Sequence, residues 1–409
     1  MDYETPQFFR VMQYAARADR DVVDMVSGNP DWEPPEALRE GLREYADGDV
    51  SDFQYPPSVG LTELRTEIAE RRGVDRSRVL VTNGAGEANH LAMTGALERE
   101  GRRSPDRSSS ERAGESHEPG ERVDDPRADG DESRDRGTGS EVILTDPVYP
   151  YYAGRATLLD ADATYVPADE TGRLDPADVR RVASDDTAAI VVNSPNNPTG
   201  AVYPPETVEA LVAVAEANDA VLVSDEVYDH YDYTGAFESA LATGSDHVVA
   251  TNSFSKSMAI TGFRVGYAVF PPEDGPLGDL VERARTRHMI QNVTGSRPAQ
   301  AAVLRALRET PPEYYERNRE RLRERIDRFT DALDAAGADY TTPGGSFYVM
   351  ARFEGFPGTM ANVERLIDEA GVAGMPGEAF GESRAEWLRF ALVTPRVDEA
   401  VERLVDFFE

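Results

Sequence analysis

The chain has no cysteine, and of its 43 basic residues only Lys256 is a lysine. Without cysteine there can be no disulfide, zinc–thiolate site, iron–sulfur cluster or cysteine nucleophile. No apolar run approaches the roughly 20 residues of a membrane span. The opening "MDYETPQFFR" lacks the basic start and apolar run of a secretory signal. These absences lead to the expectation of a soluble, cytoplasmic chain with no membrane partner. The five histidines, His90, His117, His230, His247 and His288, are scattered. None pairs with another at metal-ligand spacing on one helix, so no metal site is expected. No G-x-G-x-x-G opens the first strand–helix unit, which argues against a dinucleotide enzyme.

Positive charge is also scarce. Acidic residues number 76 against 43 basic ones, for a net charge of −33. A field of that sign repels nucleic acid, so no nucleic-acid partner is expected. It also makes the chain repel itself unless salt shortens the Debye length, to about 3 Å near 1 M. An acidic surface almost free of lysine fits the salt-loaded cytosol of a salt-adapted organism. Arginine can replace lysine wherever only charge is needed. It cannot do so where a neutral amine must attack a carbonyl, because the guanidinium stays protonated. The one retained lysine is therefore the first candidate nucleophile.

What is present is an alternation of apolar runs and helical patterns. "RVLV" (Arg78–Val81), "EVILT" (Glu141–Thr145), "AAIVV" (Ala188–Val192), "AVLVS" (Ala220–Ser224), "HVVAT" (His247–Thr251) and "VGYAVF" (Val265–Phe270) read as buried strands. Between two of them, Val208, Leu211, Val212 and Ala215 recur at helical spacing. The pattern predicts an α/β fold, a large domain with a mostly parallel sheet flanked by helices. A smaller α+β domain, built from the N- and C-terminal segments, is expected beside it. The expected boundaries are 1–45 packing with the small domain, 46–280 for the large domain and 281–409 for the small one. Residues 101–140, rich in Gly, Ser, Pro and charge, read as a disordered insertion that cannot bury enough surface to offset its ordering.

Polar residues cluster where these strands end, the edge at which open α/β sheets bind ligands. "VTNGAGEANHLA" (Val81–Ala92) is a strand, a glycine turn and a helix whose first N–H groups suit an anion. "NSPNNPTG" (Asn193–Gly200) and "SDEVY" (Ser224–Tyr228) follow strands. "SFSKSMAITGFRVG" (Ser253–Gly266) sets hydroxyls beside Lys256 and an arginine, Arg264, eight residues beyond it. Taken singly, each reads as an ordinary turn, helix cap or strand-end ion pair.

Taken together, and in this order, the motifs resemble the class I/II, fold type I aminotransferases that depend on pyridoxal 5'-phosphate. The resemblance runs from "SGNPDWEPP" (Ser27–Pro35) to "WLRFAL" (Trp387–Leu392). It implies that Lys256 holds the cofactor as a Schiff base and then moves the substrate's Cα proton. It implies that Asp225 pairs with the pyridine nitrogen, that Asn197 and Tyr228 bond the ring's phenolic oxygen, and that Tyr149 stacks on the ring. Ala85, Gly86, Ser253, Ser255 and Arg264 would hold the phosphate. Arg389 would clamp the substrate α-carboxylate, with Gly28 lying over the substrate and Asn197 also on the substrate side. Tyr55 would reach the phosphate of a neighbouring subunit, since the family is usually a homodimer with shared sites. The partners implied are an amino acid and a 2-oxo acid. Arg297 lies where a second, side-chain-binding arginine could fall, but reads equally as a surface residue. Two other readings stay open: a lyase or decarboxylase on the same scaffold, and an aminotransferase-like regulatory domain.

The charge yields a first prediction. The thermal unfolding midpoint should rise between 0.01 M and molar KCl, as the Debye length falls from about 30 Å to about 3 Å. A midpoint that stays flat or falls would reject salt adaptation and leave the enzyme assignment untouched.

Overall fold

Seven strands lie side by side in the computed structural model, which describes residues 6–111 and 140–408. They are β1 (Val79–Thr82), β2 (Glu141–Asp146), β3 (Asp162–Pro167), β4 (Thr187–Asn193), β5 (Val221–Asp225), β6 (Val248–Ser253) and β7 (Gly266–Val269). Their order across the sheet is β1-β7-β6-β5-β4-β2-β3. Neighbours from β6 through β5, β4 and β2 to β3 pair parallel, while β7 runs antiparallel to both β6 and β1. The α/β expectation holds. The six apolar runs read from the sequence became strands with ends shifted by one or two residues. β3 escaped that reading because it is an edge strand and mostly not buried, so its sequence carries no continuous apolar run.

Both faces of the sheet are covered, which is why the central strands are apolar throughout. Successive side chains point to opposite faces. Ala189, Val191 and Val223 pack with Leu91 and Leu144 on one side. Ile190, Val192 and Leu222 pack with Val208, Leu211, Val212 and Ala215 on the other. These last four lie on the helix Pro205–Ala217, as their spacing predicts.

A second core forms around a four-stranded antiparallel sheet made of β8 (Asp339–Tyr340), β9 (Tyr348–Arg352), β10 (Met375–Pro376) and β11 (Leu388–Ala391), in the order β10-β11-β9-β8. Val11, Val23 and Met25 from the start of the chain join Phe329, Leu366 and Phe390 in it. Val23–Asp24 pairs parallel with Val372–Ala373. Leu38 and Val303 pack instead with Leu64, Val79 and Val269 beside the large sheet. They lie in segments that the sequence reading places outside the 46–280 unit. The helix that opens at Ala85 runs to Glu111, into the segment 101–140 expected to be a disordered insertion. Residues 112–139 of that segment lie outside the described residues.

The topology decides where the chemistry can sit. β1, β2, β4, β5 and β6 end at one edge of the sheet, while reversed β7 begins there. Gly266, its first residue, lies level with Thr82 and Ser253. The approach is close enough to demand glycine. A Cβ on Gly266 would stand 2.6 Å from Asn252 O and 2.7 Å from Gly84 Cα.

Gly266→Ala should therefore destabilise the protein by roughly 1–3 kcal/mol, the usual range for overpacking. Gly154→Ala, in the helix Pro150–Leu158 with nothing within 4 Å of the added methyl, should be neutral or stabilising by about 0.5–1 kcal/mol. Denaturant midpoints of the two variants test the contrast, and equal effects would contradict it.

Candidate active site

A pocket of about 600 Å³ opens at this edge, between the large sheet and the smaller one. Gly28, Ala85, Gly86, Tyr149, Asn197, Asp225, Tyr228, Ser253, Ser255, Lys256, Arg264 and Arg389, all singled out from the sequence, line it. Tyr55 does not. It is 81% exposed and is not part of this chain's own pocket lining. Arg297 does not either, because it is tied down elsewhere. Its guanidinium donates to Ser51 O at 2.9 Å and Gln54 O at 3.3 Å, and pairs with Asp52 at 3.3 Å.

Asp225 ends β5, level with Asn193 on β4 and Thr251 on β6. Its buried carboxylate accepts from three elements. Tyr152 Oη donates at 2.7 Å and Asn89 Nδ2 at 2.6 Å, both to Oδ2, and Val227 N donates to Oδ1 at 3.1 Å. Asn89 is oriented in turn by Thr251, whose hydroxyl donates to its Oδ1 at 2.6 Å. Burial raises the Asp225 pKa, and the bonds from Tyr152, Asn89 and Val227 oppose that rise by favouring the ionised form.

Lys256 sits in the short helix Phe254–Ser257 that follows β6. Its Nζ donates to Gly28 O at 2.6 Å and lies 5.9 Å from the Phe347 ring centroid. Burial, reinforced by the nearby charges of Arg264 and Arg389, pushes the ammonium down to about 8. Gly28 has no room for a side chain. An added Cβ would collide with the Tyr348 hydroxyl and stand 3.4 Å from Lys256 Nζ. The Tyr348 and Tyr228 hydroxyls share a hydrogen bond of 3.2 Å.

Arg264 precedes β7 in the left-handed region, with φ 56°, a conformation that costs a non-glycine residue about 1 kcal/mol or more. Its Nη2 donates to Asn83 O at 3.2 Å, in the turn before the helix Ala85–Glu111, and its Nη1 approaches Ser255 Oγ at 3.5 Å. Ser253 and Ser255 hydroxyls are 2.7 Å apart. The helix N–H groups, two hydroxyls and a guanidinium thus converge on one spot, a donor set suited to a phosphate.

Arg389, on β11, is buried beneath Tyr348, 4.4 Å from that ring's centroid. Nη1 donates to Asn197 Oδ1 at 3.2 Å and Nη2 to Val26 O at 2.5 Å, while Nε is buried without a partner among the described residues. A buried guanidinium with a donor to spare suits an incoming carboxylate.

Sequence reasoning missed Tyr152, Asn89, Tyr348 and Arg155, all lining the pocket. Tyr152 follows Tyr149 by three residues, and a helical reading of "YPYY" would have put both near one face. Asn89 stands four residues after Ala85 on the long helix. Nothing in the local sequence of Tyr348 marks it.

If burial and two arginines hold Lys256 near 8, its neutral amine appears well below the usual 10.5. Reductive methylation of Lys256 in cofactor-free protein should rise through about pH 8, read by peptide mass spectrometry. A rise only above pH 10 would show an unperturbed amine.

The family model for aminotransferase class I and II matches residues 20–102 and 136–407, and breaks within the 101–140 segment. Among curated relatives, the aspartate aminotransferase of Thermotoga maritima is 31% identical over 398 residues, covering 95% of this chain and 91% of that protein. The aspartate/prephenate aminotransferase of Thermus thermophilus is 32% identical, covering 94% and 90%. The solved structure of Thermus thermophilus aspartate aminotransferase with maleate superposes with a TM-score of 0.81 at 29% identity, over 98% of this chain and 97% of that one. No helix among the described residues is long and apolar enough to cross a membrane. On the extent of these matches the chain belongs to the aminotransferase class I and II family and is an aminotransferase.

Proposed function

We propose that the pocket binds pyridoxal 5'-phosphate at Lys256 and moves the amino group of an α-amino acid to a 2-oxo acid. The observation that carries this reading is the placement of the only lysine. It reaches into the pocket with its amine pushed down to about 8, between an anion cradle at Arg264 and a carboxylate clamp at Arg389.

The residues fit the cofactor. Ala85, Gly86, Ser253, Ser255 and Arg264 would hold the phosphate, and Asp225 the ring nitrogen. Asn197 and Tyr228 would donate to the phenolic oxygen, and Tyr149 would cover one ring face. When bound, pyridoxal phosphate supplies an aldehyde that condenses with amines and a protonated ring that withdraws electrons from the substrate's Cα. Asp225 would accept from the protonated ring nitrogen, a contact that, like its three donors, favours the ionised carboxylate against the effect of burial. Lys256 Nζ would hold the aldehyde, and as a free amine it could take up and return the substrate's Cα proton. Arg389 fixes the α-carboxylate through its free Nε and so orients the Cα–H bond. Gly28, lacking a side chain, leaves the space over the substrate open.

Aspartate is the donor supported by the names of the relatives from Thermotoga maritima and Thermus thermophilus. A homodimer with shared sites is supported by apolar exposure on two segments that touch. Val50, Phe53 and Tyr55 are exposed, as are Met289, Ile290 and Val293, and Thr294 Oγ1 donates to Pro57 O at 3.2 Å between them. The acidic, almost lysine-free composition supports a salt-loaded cytoplasm as its setting.

Borohydride treatment of the protein with cofactor should fix the cofactor on the peptide containing Lys256. Lys256→Arg should abolish amino transfer while cofactor still binds noncovalently. Asp225→Ala should lower turnover by several orders of magnitude with a smaller loss of cofactor affinity. Peptide mass spectrometry locates the fixed cofactor, and assays with aspartate and 2-oxoglutarate in molar KCl, read as new oxo acid, check the two variants. Cofactor fixed elsewhere, or near-normal turnover in Asp225→Ala, would overturn the assigned roles.

A further inference from the structure

Arg155 stands in the last turn of the helix Pro150–Leu158 and lines the pocket. It follows Tyr152 by three residues, so the two share a face, and Tyr152 already reaches Asp225 from that face. Arg155 donates Nη1 to Tyr151 O at 3.1 Å. No carboxylate among the described residues lies within ion-pair distance of it. Elsewhere the acidic chain pairs its semi-buried arginines readily. Arg72 holds Glu226 and Asp229, Arg99 holds Asp219, and Arg325 holds Asp31. An arginine left without an acid in a pocket of a chain this acidic faces an anion that the protein itself does not supply.

The position of Arg155 indicates which anion. A Cβ on Gly84 would collide with Arg264 Nη2, and a Cβ on Gly86 would stand 3.1 Å from Arg155 Nη2. Two guanidiniums therefore bracket the turn that opens the helix Ala85–Glu111, where free N–H groups and the helix dipole favour negative charge. Arg155 Nη2 thus stands beside Gly86, in the first turn of that helix. It lines the pocket next to the helix-start N–H groups, as Arg264 does on the other side of the turn.

From this geometry we infer that Arg155 is a second cationic ligand of the cofactor phosphate, gripping it from the face opposite Arg264. The inference rests on the reading of the pocket as a pyridoxal-phosphate site. A phosphate dianion must enter a chain of net charge −33, in salt that screens long-range attraction. Short-range, forked contacts survive that screening best, and a second arginine supplies them.

The test compares pyridoxal 5'-phosphate with pyridoxal, which lacks the phosphate, in wild-type protein, Arg155→Gln and Arg155→Lys. Binding is followed by absorbance in molar KCl, and the unfolding midpoint of each cofactor-free protein is measured alongside. Arg155→Gln should weaken pyridoxal phosphate by roughly 10- to 100-fold, the worth of one charge-assisted hydrogen bond, and leave pyridoxal unchanged. Arg155→Lys should recover part of the loss. Equal weakening of both compounds, or a fall in midpoint that accounts for the loss, would make Arg155 merely structural and overturn the inference. So would unchanged cofactor affinity with a raised KM for dicarboxylic substrates. Wild-type protein that binds neither compound would instead overturn the cofactor reading on which this one stands.

Discussion

Parallel register is the constraint on which the site depends. Asn193, Asp225 and Thr251 close three adjacent strands at the same level. A slip of one residue in any pair would turn the wrong side chain toward the pocket. It would leave Asp225 without Asn89, which Thr251 holds in place. The apolar stretches behind these residues fix the register by alternating between two cores. Packing far from the pocket thereby sets the position of the carboxylate at its floor.

The pocket reverses the charge of the molecule around it. Lys256, Arg155, Arg264 and Arg389 line it, against the carboxylates Asp225 and Glu378, and Glu378 already accepts from Met360 N at 3.0 Å. Glu226, next to Asp225 in sequence, is buried and engaged elsewhere. Arg72 pairs with it at 3.1 Å and Ser239 donates to it at 2.9 Å. Arg72 also holds Asp229 at 2.8 Å, to which Asn252 Nδ2 donates at 2.8 Å. Adjacent acids thus serve opposite ends, Asp225 lining the pocket and Glu226 neutralised as a brace beneath it. A concave, cationic site in an acidic body focuses field lines and draws small anions inward.

Much of this was legible beforehand, for physical reasons. Strands buried on both faces leave unbroken apolar runs, and six of the seven announced themselves this way. β3, at the edge, did not. The residues on strand ends and glycine turns were legible because their positions are local: Lys256 in its helix after β6, and Gly86 at a helix start. Tyr152, Asn89, Tyr348 and Arg155 were not, because their roles depend on which distant element arrives beside them. Tyr348 matters only because Gly28 and Tyr228 meet it across the pocket. Arg297 shows the same limit from the other side. A promising position in the chain was claimed by the turn at Ser51–Gln54.

The solitary lysine has a consequence for chemical selectivity. Aldehydes condense with any accessible primary amine, so an aldehyde-handling protein studded with lysines would scatter adducts over its own exterior. Here that exterior carries guanidinium groups, which remain protonated and inert toward such condensation. Acylation and sugar-derived glycation of lysine side chains likewise have a single address in this chain, and it lies in the pocket. Damage of that kind cannot spread over the surface, since its one lysine target lines the pocket.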